Sequence, residues 1–150
     1  MRIALDTTVL VAGLVEAHPE FALGSLWLDA GDRGEIELVW AVHAYAEVWS
    51  VLTRLPLTER LDPAAVNEVL DALVGAHPPR AIRLEEYALA AQRCAQVGVR
   101  SGAIFDALHL VVAERVGADA LLTLNVKDFS RLSPLIPVLS PPSVLAVPGR

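Results

Sequence analysis

Three carboxylates in this chain stand in apolar surroundings. Asp6 closes the run Met1-Arg2-Ile3-Ala4-Leu5. Glu47 interrupts Ala41-Val42-His43-Ala44-Tyr45-Ala46 just before Val48-Trp49, and Asp106 lies inside Ala103-Ile104-Phe105-Asp106-Ala107-Leu108-His109-Leu110. Carboxylates are rarely buried without a partner. Folding that gathers these three needs a positive charge among them, and a divalent metal is the simplest candidate. Mg²⁺ or Mn²⁺ prefers oxygen ligands and keeps several waters. Such a metal can orient a water and stabilise charge on a phosphoryl oxygen, so phosphodiester hydrolysis suits the site best. That chemistry requires neither a Cys nor a His nucleophile. Each acid also has a plainer role open to it. Asp6 could cap the following helix, Glu47 could be a solvated residue on an amphipathic helix, and Asp106 could be a first-turn acid favoured by the helix dipole.

Other residues fall near these acids. Arg54 lies seven positions after Glu47, two helical turns along the same face, where it could approach a substrate phosphate or a partner's carboxylate. A solvated Arg at a helix end is the alternative. His109 sits one turn beyond Asp106 in an apolar helix and reads as a packed core residue. Trp27, Trp40 and Trp49 read as core or interface, and the single cysteine, Cys94, as a small buried hydrophobe.

The elements that must position the acids follow from periodicity and breakers. Residues 2–6 read as a buried strand, after which Thr7 or Thr8 caps a helix over 9–15. A break at His18-Pro19-Glu20 precedes a helix over 21–30 that ends at Gly31 and Gly34. Residues 36–40 read as a strand and 42–55 as a helix stopped by Pro56. Asp62-Pro63 opens another helix that runs to about Val74. After His77-Pro78-Pro79, residues 80–84 read as a strand, 85–97 as a helix and 98–102 as a loop. The helix over 103–116 is apolar nearly all round and so should be central. A strand over 119–123, a turn or one helical turn at 125–129, a last strand over 136–139 and a tail from 141 complete the chain. Strands alternating with helices imply one α/β domain with a mostly parallel sheet covered on both faces. Function in such sheets gathers at the carboxyl ends of the strands, which would make Asp6, Thr123 and Asn125 neighbours.

Composition bounds the rest. The 150 residues are 54% hydrophobic and 20% charged, which fits a single globular domain with a substantial core. The net charge of −6 argues against general nucleic-acid binding. Of the twelve basic residues, eleven are Arg, a side chain suited to phosphate and to protein interfaces, and only Lys127 is Lys; for most of them a genomic bias towards Arg over Lys is the favoured reading. Asp6-Thr7-Thr8 breaks the apolar N-terminal segment, so no secretory signal is expected there. No segment is long and apolar enough to span a bilayer, and a cytoplasmic location is expected.

Four segments together resemble the signature segments of the PIN-domain ribonuclease family. They are Leu5-Asp6-Thr7-Thr8-Val9-Leu10, Glu47-Val48-Trp49-Ser50-Val51-Leu52-Thr53-Arg54, Phe105-Asp106-Ala107-Leu108-His109-Leu110 and Leu121-Leu122-Thr123-Leu124-Asn125-Val126-Lys127-Asp128-Phe129. The likeness is greatest to the VapC-type toxins of bacterial toxin–antitoxin pairs and covers about residues 2–139, with a tail over 140–150. The resemblance implies a three-layer α/β/α domain with a central parallel sheet. It implies an Mg²⁺- or Mn²⁺-dependent ribonuclease, usually dimeric, held inactive by an antitoxin. The family's acidic site maps onto Asp6, Glu47 and Asp106. Its fourth acid falls at Asn125, whose amide oxygen can ligate a metal but brings no charge; Asp128, three residues on, could substitute. The family's polar residue after the first acid matches Thr7 or Thr8, and Thr123 matches its hydroxyl near the site.

The leading expectation is therefore an endoribonuclease toxin acting on RNA and inhibited by a cognate antitoxin. A PIN-like domain with weak catalysis that binds RNA or protein is the alternative, favoured by Asn125 and the acidic net charge. A phosphatase with Asp6 as nucleophile lacks the second Asp two residues later that such enzymes use as acid/base.

Overall fold

The computed structural model describes residues 1–55 and 61–146. Four strands run in parallel: β1 (Arg2–Leu5), β2 (Glu37–Val39), β3 (Ala120–Leu122) and β4 (Val138–Leu139), in the order β2-β1-β3-β4. Seven helices accompany them: α1 (Thr7–Leu14), α2 (Phe21–Asp32), α3 (Ala44–Arg54), α4 (Pro63–Ala76), α5 (Leu84–Val97), α6 (Ala103–Arg115) and α7 (Val126–Ser130). The expected three-layer α/β/α sandwich is what the chain adopts.

Strand residues alternate between two cores, which is why the strands read as unbroken apolar runs. Ile3, Leu5, Leu38, Ala120 and Leu122 face a core completed by α1 to α4, including Trp27, Val48 and Leu70. Ala4, Val39 and Leu121 face the opposite core, completed by α5, α6 and α7 with Cys94, Leu108 and Phe129. Helix α6 contributes seven consecutive buried residues, 107–113, as its apolar sequence requires.

Glycine permits one close approach. A Cβ on Gly24 of α2 would lie 2.4 Å from the Gly13 backbone nitrogen of α1. The two helices therefore cross in backbone contact, holding α1 and its Asp6 cap tightly against the domain.

The structure departs from the sequence reading in three places. Residues 80–84 form no strand; they supply one bridge, in which Arg80 N–H donates to the Trp40 carbonyl and Val42 N–H to the Arg80 carbonyl. Pro78 and Pro79 offer no donors to extend that ladder, and Arg83 already serves as the N-cap of α5. Helix α3 starts at Ala44 rather than Val42: Ala41 is held in that bridge, and Val42 and His43 form the turn that leads into the helix. Helix α1 is capped by Asp6, not by Thr7 or Thr8: the Asp6 Oδ1 accepts from Val9 N–H at 3.0 Å. The expected stop at Pro56 and the last residues of the tail lie outside the described residues. Among the described residues, no helix is long and apolar enough to cross a membrane.

Candidate active site

Strand β1 pairs with β2 on one side and β3 on the other, so the chain's connections reverse direction between β1 and β3. A crevice opens at the carboxyl ends of strands at such a point. Asp6 follows β1 there, its N–H bonded to the Leu122 carbonyl at 3.1 Å, and Thr123 follows β3.

The Asp6 carboxylate is 2% exposed and almost fully engaged. Oδ1 accepts from Val9 N–H and from the Thr8 hydroxyl (2.7 Å), and Oδ2 accepts from the Thr123 hydroxyl (2.6 Å). Thr8 Oγ1 in turn accepts from Leu124 N–H and Thr123 Oγ1 from Asn125 N–H, both at 2.9 Å. The two threonines thus tie β1, α1 and the segment after β3 to one carboxylate. A carboxylate offers about four acceptor positions, so one on Oδ2 remains for a cation. Burial pushes the Asp6 pKa up, although the His109 ring and the three hydrogen bonds pull against it.

Glu47 stands in the first turn of α3, between two imidazoles. Its Oε1 is 3.1 Å from His43 Nε2 and 3.6 Å from His109 Nε2. It is nevertheless a buried oxygen without a well-formed hydrogen bond. His43 Nε2 also approaches the Phe105 carbonyl and His109 Nε2 approaches Thr7 Oγ1, each at 3.2 Å. Burial would raise the Glu47 carboxyl, but the facing imidazoles of His109 and His43 outweigh it and hold the pKa down at about 2. Glu47 is therefore more readily ionised than Asp6 or Asp106.

Asp106 has the opposite environment. Burial, then the negative charges of Asp6, Asp128 and Glu47, push its carboxyl up to about 6. Four acids from three helices and a strand end thus share one electrostatic site. Asp106 and Asp128 line a cleft of about 500 Å³ together with Arg100 and Arg131. Asn125 lines a separate hollow with Thr7 and Thr8, under Leu55 and Val51. Of the two candidates for the fourth position, it is Asp128, one turn into α7, that shares the cleft of Asp106. Arg54 lines a third cleft, of about 420 Å³, with Glu47, His43 and Phe105.

The donor set fits a divalent cation. Glu47 Oε1 is buried without a hydrogen bond, and burial together with the neighbouring acids raises the cost of charge on Asp106, which a cation would offset. His43, Glu47 and His109 also place one ligand atom each within 4.8 Å of one another. The sequence reading missed the part of His43 altogether and read His109 as core. His109 is indeed buried, but its ring also faces Glu47. The signal for His43 was the i,i+4 spacing His43–Glu47 on one helix face. Of the tryptophans, Trp27 and Trp40 are buried, while Trp49 is 39% exposed and donates to Asn67. The Cys94 thiol is buried and pushed up by that burial, as an inert core residue should be.

Known proteins are similar to this chain in sequence and in fold. A family model described as PIN domain matches residues 3–133. Ribonuclease VapC40 of Mycobacterium tuberculosis is 36% identical over 121 residues, covering 79% of this chain and 84% of that protein. Ribonuclease VapC27 of the same species is 32% identical over 127 residues, covering 84% and 88%. Among solved structures, VapBC2 from Rickettsia felis bound to a promoter DNA fragment aligns with a TM-score of 0.68 at 18% identity, over 93% of this chain and 98% of that one. The sarcin-ricin-loop-cleaving toxin VapC20 of M. tuberculosis aligns at 0.62 and 18%, over 79% and 86%.

Proposed function

The chain belongs to the PIN-domain family, and from that premise we propose that it is a metal-dependent endoribonuclease toxin restrained by a cognate antitoxin. The observation that carries this reading is the meeting of Asp6, Glu47, Asp106 and Asp128 at the carboxyl ends of β1 and β3, where the acids raise one another's charge cost. Family relatives named as ribonucleases support the choice of RNA as substrate.

Asp6, Glu47 and Asp106 would hold Mg²⁺ or Mn²⁺, with Asp128 completing the site and Asn125 contributing least. When bound, the cation supplies an oriented water and offsets charge on the phosphoryl oxygen. The chain's own residues set up that chemistry. Thr8, Thr123 and the Val9 N–H fix the rotamer of Asp6. His43 and His109 favour the ionised form of Glu47, while the Asp106 carboxyl, held up by burial and the neighbouring acids, would be drawn to its ionised, ligating form by a bound cation. Thr7 helps to position His109, its Oγ1 lying 3.2 Å from the His109 Nε2. A carboxylate-lined cleft of this kind can be blocked by an Arg or Lys of the antitoxin that replaces the metal's charge. A homodimer acting in the cytoplasm completes the proposal.

Asp6→Asn keeps an oxygen for the α1 cap and removes the charge. Cleavage of RNA by this variant in Mg²⁺ should fall roughly 100-fold or more, with an unchanged circular dichroism spectrum. Undiminished activity in the variant, or wild-type cleavage that survives EDTA, overturns the assignment. Wild-type protein that binds metal yet cleaves nothing would instead identify a catalytically weak binding domain.

A further inference from the structure

The arginines of this acidic protein divide into two groups. Nine of the eleven are described, and six of these are in ion pairs with glutamates: Arg2, Arg33, Arg80, Arg83, Arg93 and Arg115. The three without an acidic partner among the described residues are Arg54, Arg100 and Arg131, all exposed. Each lines a cleft next to the acids. Arg54 shares its cleft with Glu47 and Phe105, and Arg100 and Arg131 share theirs with Asp106 and Asp128. Lys127 is also unpaired but lines neither of these two clefts.

Phe105 and Asp106 are consecutive in α6, and each lines one of the two clefts. Glu47 lines one cleft and Asp106 and Asp128 the other, so each cleft holds both acids and unpaired guanidinium. We propose that Arg54, Arg100 and Arg131 form a phosphate-binding track, which carries a single RNA strand through both clefts and across the acids. The polyanion is the ligand chemistry the observations favour. A guanidinium offers five donors in a planar fork matched to phosphate. Exposed arginines in a protein with 18 acids have many carboxylates to choose from, and these three remain uncommitted beside the one site that must receive a phosphodiester. Phe105, 48% exposed in the Arg54 cleft and stacked on His43, adds a face on which a base can lie. The track also explains how a chain of net charge −6 can take an anionic substrate: the paired charges cancel locally, and the spare ones are concentrated where the strand passes. For its ligand the inference rests on the ribonuclease reading.

The test measures binding apart from cleavage. In the Asp6→Asn background with Mg²⁺, a fluorescein-labelled mixed-sequence oligoribonucleotide is titrated by anisotropy at several salt concentrations. Replacing any one of the three by Ala should raise Kd roughly tenfold, the loss expected of one charge-assisted contact. Replacing all three should flatten the slope of log Kd against log salt by about 2, at about 0.7 per phosphate contact to a single strand. The triple Arg→Lys variant should recover the slope but only part of the affinity, because Lys keeps the charge and loses the fork. Arg33→Ala, which removes a surface cation paired with Glu35, should leave Kd unchanged. A triple Ala variant with unaltered Kd and slope overturns the proposal. So does one that keeps RNA binding and loses binding of an oligoglutamate peptide, since the arginines would then serve a protein partner. Failure of the ribonuclease reading shows separately, as absence of metal-dependent cleavage by the wild type.

Discussion

Asp106→Asn should make the metal-free protein more stable while destroying its activity. Crowding by burial, Asp6, Asp128 and Glu47 moves the Asp106 pKa from its ordinary 3.8 to about 6 in the folded state. The folded protein then holds a proton that the unfolded chain releases, so stability is fully present below the unfolded value and is lost as pH rises through about 6. Roughly two pH units correspond to about 3 kcal/mol at about 1.4 kcal/mol per unit. Asp106 is only partly buried, and solvent screening brings this to about 1–2 kcal/mol. Asparagine keeps the shape and removes the charge. For a chain of 150 residues the melting temperature should rise by about 3–6 °C near neutral pH in EDTA. Scanning calorimetry of wild type and variant at about pH 8 and about pH 5 makes the comparison, and the variant's advantage should shrink at the lower pH. Added Mg²⁺ should then stabilise the wild type more than the variant, because a ligand that binds only the folded state shifts the transition. A variant no more stable than wild type at about pH 8 in EDTA would refute the crowding argument. So would an advantage that does not change with pH.

Two further outcomes follow from the same geometry. Asp128→Asn should lower metal affinity and cleavage by roughly 10–100-fold, whereas Asn125→Ala should change either by less than about threefold. Isothermal titration with Mn²⁺ and an RNA cleavage assay check both, and the reverse order would place the fourth ligand at Asn125. Gly24→Ala should destabilise the fold by about 1–3 kcal/mol, read as a lowered midpoint in urea, because its Cβ would meet the Gly13 nitrogen at 2.4 Å.

Much of the architecture was legible because it depends on short-range chemistry. The apolar runs at 2–5 and 120–122 announced buried strands, and Asp62-Pro63 announced the start of α4, where Asp62 Oδ1 accepts from Ala64 N–H. The strand expected over 80–84 failed because the segment's composition suited extension, but the sheet edge offered only one pairing position beside Ala41. Glu86 shows the same limit. Its sequence context is that of a solvated helix acid, yet it is 4% exposed, accepting from Arg83 N–H at 2.8 Å and paired with Arg115. Only the packing of α5 on α6 decides that it is enclosed.

By itself, the sequence singled out Asp6, Glu47 and Asp106, by residue type, by apolar setting and by the segments around them, as the residues proposed to carry the chemistry. What the tertiary structure decided is their charge state and company. Asp6 and Thr123 are 117 positions apart and share a hydrogen bond; Glu47 faces His109 across the interface of α3 and α6; Asp128, not Asn125, enters the cleft of Asp106. It also decided which arginines remain unpaired. Local sequence encodes helix caps and apolar periods within a few residues. The pKa of a carboxyl and the partner of a guanidinium are set by groups that only the parallel pairing of β1 with β3 brings together.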